Sequence, residues 1–117
     1  MWIMVAAISG ALAVLAGAFG AHGLRERVAS EQVQAWATAS HYHLLHSAVL
    51  LVLALYALQS GRDVQWPASL FTVGMLLFSG SIYLLVLTPA KWLGPVTPLG
   101  GLFLIAGWLS LLLLARS

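Results

Sequence analysis

Eight charged side chains in 117 residues divide this chain rather than cover it. Arg25, Glu26, Arg27, Glu31, Arg62, Asp63, Lys91 and Arg116 leave charge-free runs over 1–24, 32–61, 64–90 and 92–115, of 24, 30, 27 and 24 residues. Crossing about 30 Å of hydrocarbon at 1.5 Å per residue takes roughly 20 residues. Each run therefore suffices for one crossing and falls short of two. The predicted fold class is all-α, an integral membrane bundle of four antiparallel transmembrane helices. It occupies 1–117 as a single domain, and the lipid bilayer is its first partner.

Composition supports that reading and removes others. The chain is 62% hydrophobic and 7% charged, where an ordinary soluble domain carries roughly 25% charged residues. A free-standing cytosolic protein is excluded. No cysteine is present, which excludes disulfides, thiolate metal sites and thiol catalysis. A formal charge of +2, scattered along the chain, is no nucleic-acid footprint. Ala16-Gly17-Ala18 has the look of a signal cleavage site, but residues 1–8 hold no basic side chain. The apolar stretch also exceeds a usual signal core, so the first run is read as a true span.

The spans are predicted at about 2–21, 41–59, 67–87 and 97–115. An amphipathic or interfacial segment over 23–40 joins the first two, either as a separate helix or running without a break into the second span, with Ser30 as N-cap and Glu31 in the first turn. Small residues recur every four positions at Ser9, Ala13, Gly17 and Ala21, beside a second row through Ala6, Gly10 and Ala18. Close backbone approach drives association where lipid supplies no hydrophobic force. Gly10, Gly17, Gly80, Gly100 and Gly101 are accordingly read as helix-packing positions. Trp2, Trp36, Trp66 and Trp92 are expected in interfacial belts, and Trp108 between helices. Arg25, Arg27 and Lys91 outnumber Arg62 and Arg116 across the membrane, which leans toward both termini outside.

The topology gathers polar side chains at one end. His22 closes the first span, while His41, His43 and His46 open the second, and Tyr83 lies near the same end of the third. Counting from Arg62, His46 falls about one turn below the near surface of a 30 Å core. A polar cluster in one leaflet is therefore expected, with His22, His43, His46, Ser47, Ser79 and Tyr83 as ligand candidates. Three functional readings fit it. His22, His43 and His46 offer imidazoles to a transition metal; two histidines from different helices could instead hold haem axially; or the histidines carry protons, with Glu26 or Glu31 at the aqueous end. The preferred reading is plainer: His43 and His46 bond to Ser, Tyr or backbone groups and staple the bundle, at about 0.6 kcal/mol per bond. No cofactor is predicted. Ser79 and Ser81 lack a flanking acid and base, so no catalytic residue is assigned and an enzyme is disfavoured.

Several segments resemble a known family. Gly17-Ala18-Phe19-Gly20-Ala21-His22-Gly23-Leu24, Trp36-Ala37-Thr38-Ala39 and Tyr42-His43-Leu44-Leu45-His46 are similar to the YgdD-type family of small bacterial inner-membrane proteins. Phe78-Ser79-Gly80-Ser81-Ile82-Tyr83 and Thr97-Pro98-Leu99-Gly100-Gly101 look like its later segments. The resemblance implies a four-span fold, a multi-pass place in the cell inner membrane, an animal relative and no known activity. It emphasises His22, Trp36, Tyr42, His46, Ser79, Gly80, Tyr83, Pro98 and Gly100, and it accepts Gln at the position of His43. That weakens a three-histidine metal set and leaves His22 and His46 as the better pair. The leading expectation is a non-enzymatic protein that binds a small ligand, a partner membrane protein or a second copy of itself. The alternative is a minimal oligomeric transporter or channel gated by His22 and His46, and an enzyme or haem carrier stands third.

Overall fold

The computed structural model describes residues 1–115 and is all-helical over them. Four helices, α1 (Trp2–His22), α2 (Ser30–Ser60), α3 (Gln65–Leu87) and α4 (Val96–Ala115), run antiparallel. One-turn 3-10 helices at Leu24–Glu26 and Lys91–Leu93 fill two of the connections. Each main helix is long and apolar enough to cross a membrane. Arg116, which entered the orientation count, lies outside the described residues.

Local chemistry sets the boundaries. The N-cap of α2 is Ala29 in extended conformation, and Gln32 Oε1 accepts its backbone N–H at 3.2 Å. Ser30 is thus the first helical residue rather than the cap. From there α2 runs 31 residues without a break, so of the two arrangements open to the polar 30–40 segment the structure has the one continuous with the second span. Gly61 ends it at φ +72°, the left-handed conformation a glycine adopts without Cβ strain, and donates to Ala57 O at 2.9 Å. Asp63 Oδ1 accepts the Gln65 N–H at 2.8 Å, and Pro67 sits in the first turn of α3. Thr88, extended before Pro89, closes α3.

The helices form a slab with principal extents of 50 × 26 × 18 Å. In it α2 and α3 share the middle, α1 packs on α2 and α4 packs on α3. The α3–α4 seam is held by backbone proximity. A Cβ on Gly100 would overlap Phe78 N and come within 2.7 Å of Leu77 C, while one on Gly74 would meet Leu104 at 2.6 Å. Gly107 leaves room for the Phe71 ring in the same way. The Ser81 and Thr97 hydroxyls bond to each other at one end of the seam, and Arg62 donates to Leu114 O at the other. On the α1–α2 seam, Gly10 faces Ser47 and Gly17 faces Ser40, both at 3.8 Å from a built Cβ. Gly101 has similar ordinary contact with Phe78, and Gly80 has open space beside it.

Trp36 departs from the interfacial belt. It is buried, its Nε1–H donates to Ala16 O at 2.6 Å, and its ring fills the space that Gly20 leaves between α1 and α2. Trp66 and Trp92 are exposed near helix ends, whereas Trp108 reaches in toward α2 and α3.

The glycine seam gives a paired test. Gly100→Ala should lower the stability of the detergent-solubilised protein by about 1–3 kcal/mol, the usual cost of overpacking. Gly101→Ala, one residue away, should leave it within about 0.5 kcal/mol of wild type. Thermal unfolding of the two variants side by side reads the difference.

Candidate functional site

The length of α2 moves the polar residues to the centre of the bundle. The midpoints of α1, α2 and α3 fall at Leu12, Leu45 and Leu76, and that of α4 between Ile105 and Ala106. Ser9, His43, His46, Ser47, Met75 and Trp108 all lie within about one turn of those midpoints. Of the expected cluster, His43, His46, Ser47 and Ser79 lie near the middle of their helices, whereas Tyr83 lies seven residues, about 10 Å, past the α3 midpoint and His22 ends α1. Because α2 begins at Ser30 rather than at 41 and overhangs its neighbours at both ends, its middle falls at Leu45.

His43 and His46 do not share a site. His46 is buried between α2, α3 and α4, near the rings of Phe71 and Trp108. Its Nδ1 lies 2.7 Å from Tyr42 O, and Trp108 Nε1–H donates to its Nε2 at 3.1 Å. A carbonyl only accepts and an indole N–H only donates, so the neutral Nδ1–H tautomer satisfies both. Each ring nitrogen is then occupied. His22, the last residue of α1, is exposed, and it lies 12 residues, about 18 Å, along α1 from Gly10 at the level of Ser47. The pair expected to hold a metal or haem is not brought together. Among the described residues no group of three or more His, Cys, Asp or Glu is placed to hold a metal ion. His41 is exposed.

His43 instead faces α1 and α3. Its Nδ1 is 3.1 Å from Tyr83 Oη and its Nε2 is 3.1 Å from Ser9 Oγ. Ser9 Oγ is 2.6 Å from Ser47 Oγ, and Ser47 donates to His43 O at 2.7 Å. One fixed direction follows from the last of these bonds. Ser47 gives its only hydrogen to the carbonyl, so it accepts from Ser9. Ser9 has then used its own hydrogen and accepts from His43 Nε2–H. His43 Nδ1 is left as acceptor for the Tyr83 hydroxyl. The chain runs Tyr83 to His43 to Ser9 to Ser47 and returns to the His43 backbone. Met75 Sδ lies 3.7 Å from Ser9 Oγ and 3.8 Å from Ser47 Oγ as a weak further acceptor. Ser79, fully buried, stands apart from this chain and donates to Ala39 O at 2.7 Å, pinning α3 to α2. Among the described residues no buried side-chain nitrogen or oxygen lacks a partner.

Two grooves flank these histidines. Between α1 and α3 lies one of about 640 Å³, with Ile8, Leu12, Leu76 and Leu87 among its apolar walls and Ser9, His43, Ser79 and Tyr83 among its polar residues. Gly80 also lines it and leaves it open. On the α2–α4 side a groove of about 510 Å³ is lined by Tyr42, His46, Phe78 and Trp108. Ser9 and Trp108 were not among the candidates read from the sequence. Ser9 appeared there only as a small packing residue, and Trp108 only as a helix-packing ring. The opposed tautomers are open to measurement: long-range 15N–1H spectra should place the proton of His46 on Nδ1 and that of His43 on Nε2. Identical tautomers at the two rings would overturn one of the two hydrogen-bond assignments.

Comparison with known proteins agrees with this architecture. A family described as a protein of unknown function, DUF423, matches residues 16–101, which include His43, His46, Ser79 and Tyr83. The chain is 37% identical over 113 residues to a UPF0382 membrane protein of Staphylococcus aureus (strain bovine RF122 / ET3-1), covering 97% of this chain and 93% of the relative. It is 39% identical over 117 residues to the UPF0382 membrane protein YwdK of Bacillus subtilis (strain 168), covering 98% and 95%. A UPF0382 membrane protein of Schizosaccharomyces pombe is 40% identical over 114 residues, covering 92% and 95%. No solved structure matches the chain. The chain belongs to the DUF423 family of small membrane proteins, whose function is uncharacterised.

Proposed function

We propose that this protein is a non-enzymatic membrane binding protein that admits a lipid-soluble molecule laterally into the groove between α1 and α3. The observation that carries the reading is that groove of about 640 Å³, with apolar walls and the Ser9–His43–Tyr83 chain along it. Its size falls in the range of small-molecule sites, and such sites pair apolar walls with a few placed polar groups. An ionisable side chain within a membrane span is costly to hold there and so points to a site. The groove lies between helices long and apolar enough to cross a membrane, so its occupant would arrive through the bilayer. The direction of the chain argues against catalysis by the same residues. His43 donates to Ser9, whereas a base activating a serine must accept from it.

The transporter alternative is not favoured. His22 is exposed at the end of α1, His46 is committed to Tyr42 and Trp108, and the His43 chain closes on its own backbone. A proton relay needs a chain with two open ends. The YgdD-type resemblance supports a place in the cell inner membrane. A partner membrane protein or a second copy remains a competing occupant of the lipid-facing surface.

Gly80 supplies the test, because a side chain there enters the groove without meeting a neighbour. Gentle extraction followed by mass spectrometry of bound lipids should find one apolar species enriched with the wild-type protein. Gly80→Leu should lose it while keeping its helical content and thermal midpoint. Equal retention by both proteins, or only the bulk lipid mixture with each, would reject the groove as a binding site.

A further inference from the structure

We infer that the occupant of the α1–α3 groove carries a hydroxyl, as a lipid-soluble alcohol or phenol does, and donates it to Tyr83 Oη. This deepens the proposed function and rests on it. Every hydrogen in the chain is already spent: Tyr83 on His43, His43 on Ser9, Ser9 on Ser47, and Ser47 on the His43 carbonyl. A phenolic oxygen that donates once can still accept. Tyr83 and His43 both line the groove, so what the chain offers there is a lone pair with partial negative charge and no free donor. The complement is an O–H hydrogen on an otherwise apolar body. A carbonyl ligand would need Tyr83 to donate into the groove, which either leaves His43 Nδ1 without its hydrogen bond or reverses the chain and takes the Ser47 hydrogen from the His43 carbonyl. Either arrangement keeps three internal bonds instead of four. The groove therefore favours the hydroxyl over the carbonyl at the same position.

Three probes of one skeleton separate the possibilities: methyl 12-hydroxystearate, methyl 12-oxostearate and methyl stearate, each tritiated and offered to the full-length protein in nanodiscs. Wild type should retain the hydroxy probe roughly tenfold more tightly than the oxo probe, a difference typical of one buried hydrogen bond. Tyr83→Phe should erase that preference. His43→Gln should keep it, since the Gln carbonyl accepts from Tyr83 and its amide donates to Ser9. His43→Leu, which frees the Tyr83 hydrogen, should shift the preference toward the oxo probe. Equal or better retention of the oxo probe or of methyl stearate by wild type, lost in Gly80→Leu, would overturn the hydroxyl assignment while leaving the groove reading intact. Retention of none of the three would overturn both.

Discussion

Inside hydrocarbon a polar side chain has no water to turn to, and each must be satisfied by the protein itself. In this bundle that requirement is concentrated on α2, which carries His43, His46 and Ser47 through the centre of the membrane. His43 finds its partners on α1 and α3, and His46 finds one on α4 and one on its own backbone. No arrangement with α2 at the rim could serve both histidines. The order of the slab, with α2 and α3 in the middle and α1 and α4 outside, follows from where those partners sit.

The two outer seams are built by different means. Between α3 and α4, glycines let backbones meet, and Gly100 against Phe78 is the tightest approach. Between α1 and α2, small residues such as Gly10 and Gly17 make ordinary contact, and Trp36 locks the end of the seam through Ala16 and Gly20. Both seams join helices adjacent in sequence. The non-adjacent pairs, α1 with α3 and α2 with α4, are held chiefly through side chains, namely Ser9 with Met75 and Trp108 with His46. Side-chain bridges of that kind hold helices at a distance, and a groove lies beside each.

Much of this architecture was legible in the sequence because charge is so costly in lipid. Eight charges could stand only at the ends of spans, and their positions delimit four helices. The unbroken run of α2 from Ser30 was legible only as one of two arrangements, beside a separate interfacial helix. Ser30 to Ser40 is polar enough to pass for an interfacial segment, yet Trp36, Ala39 and Ser40 are buried against neighbouring helices. The histidines were seen but wrongly grouped. Residues three apart on a helix point about 60° from one another, which reads as one face in isolation. With neighbours packed on both sides of α2, 60° is enough to send them to different helices. His22 was placed with them because the second span was counted from residue 41. Gly20, Gly74 and Gly107 went unnoticed because a lone glycine does not announce which ring or backbone will occupy its vacancy.

The cost of the central chain is what connects this fold to a function. Cohesion between helices needs no histidine here, for the α3–α4 seam achieves it with glycines and one pair of hydroxyls near its end. Interhelical hydrogen bonds in membranes contribute only about 0.6 kcal/mol each on average. Against that stands the exposure of an imidazole and a phenol to the hydrocarbon interior whenever the packing loosens. A chain of four bonds ending at a tyrosine beside an open groove therefore returns little stability for the risk it carries. The same chain does orient one oxygen: with Ser47 fixed to a carbonyl that cannot donate, every hydrogen upstream is fixed in turn, back to Tyr83. Under the proposed function, an oxygen whose lone pairs are aimed by its neighbours on the wall of that groove has the preorganisation that selective binding requires.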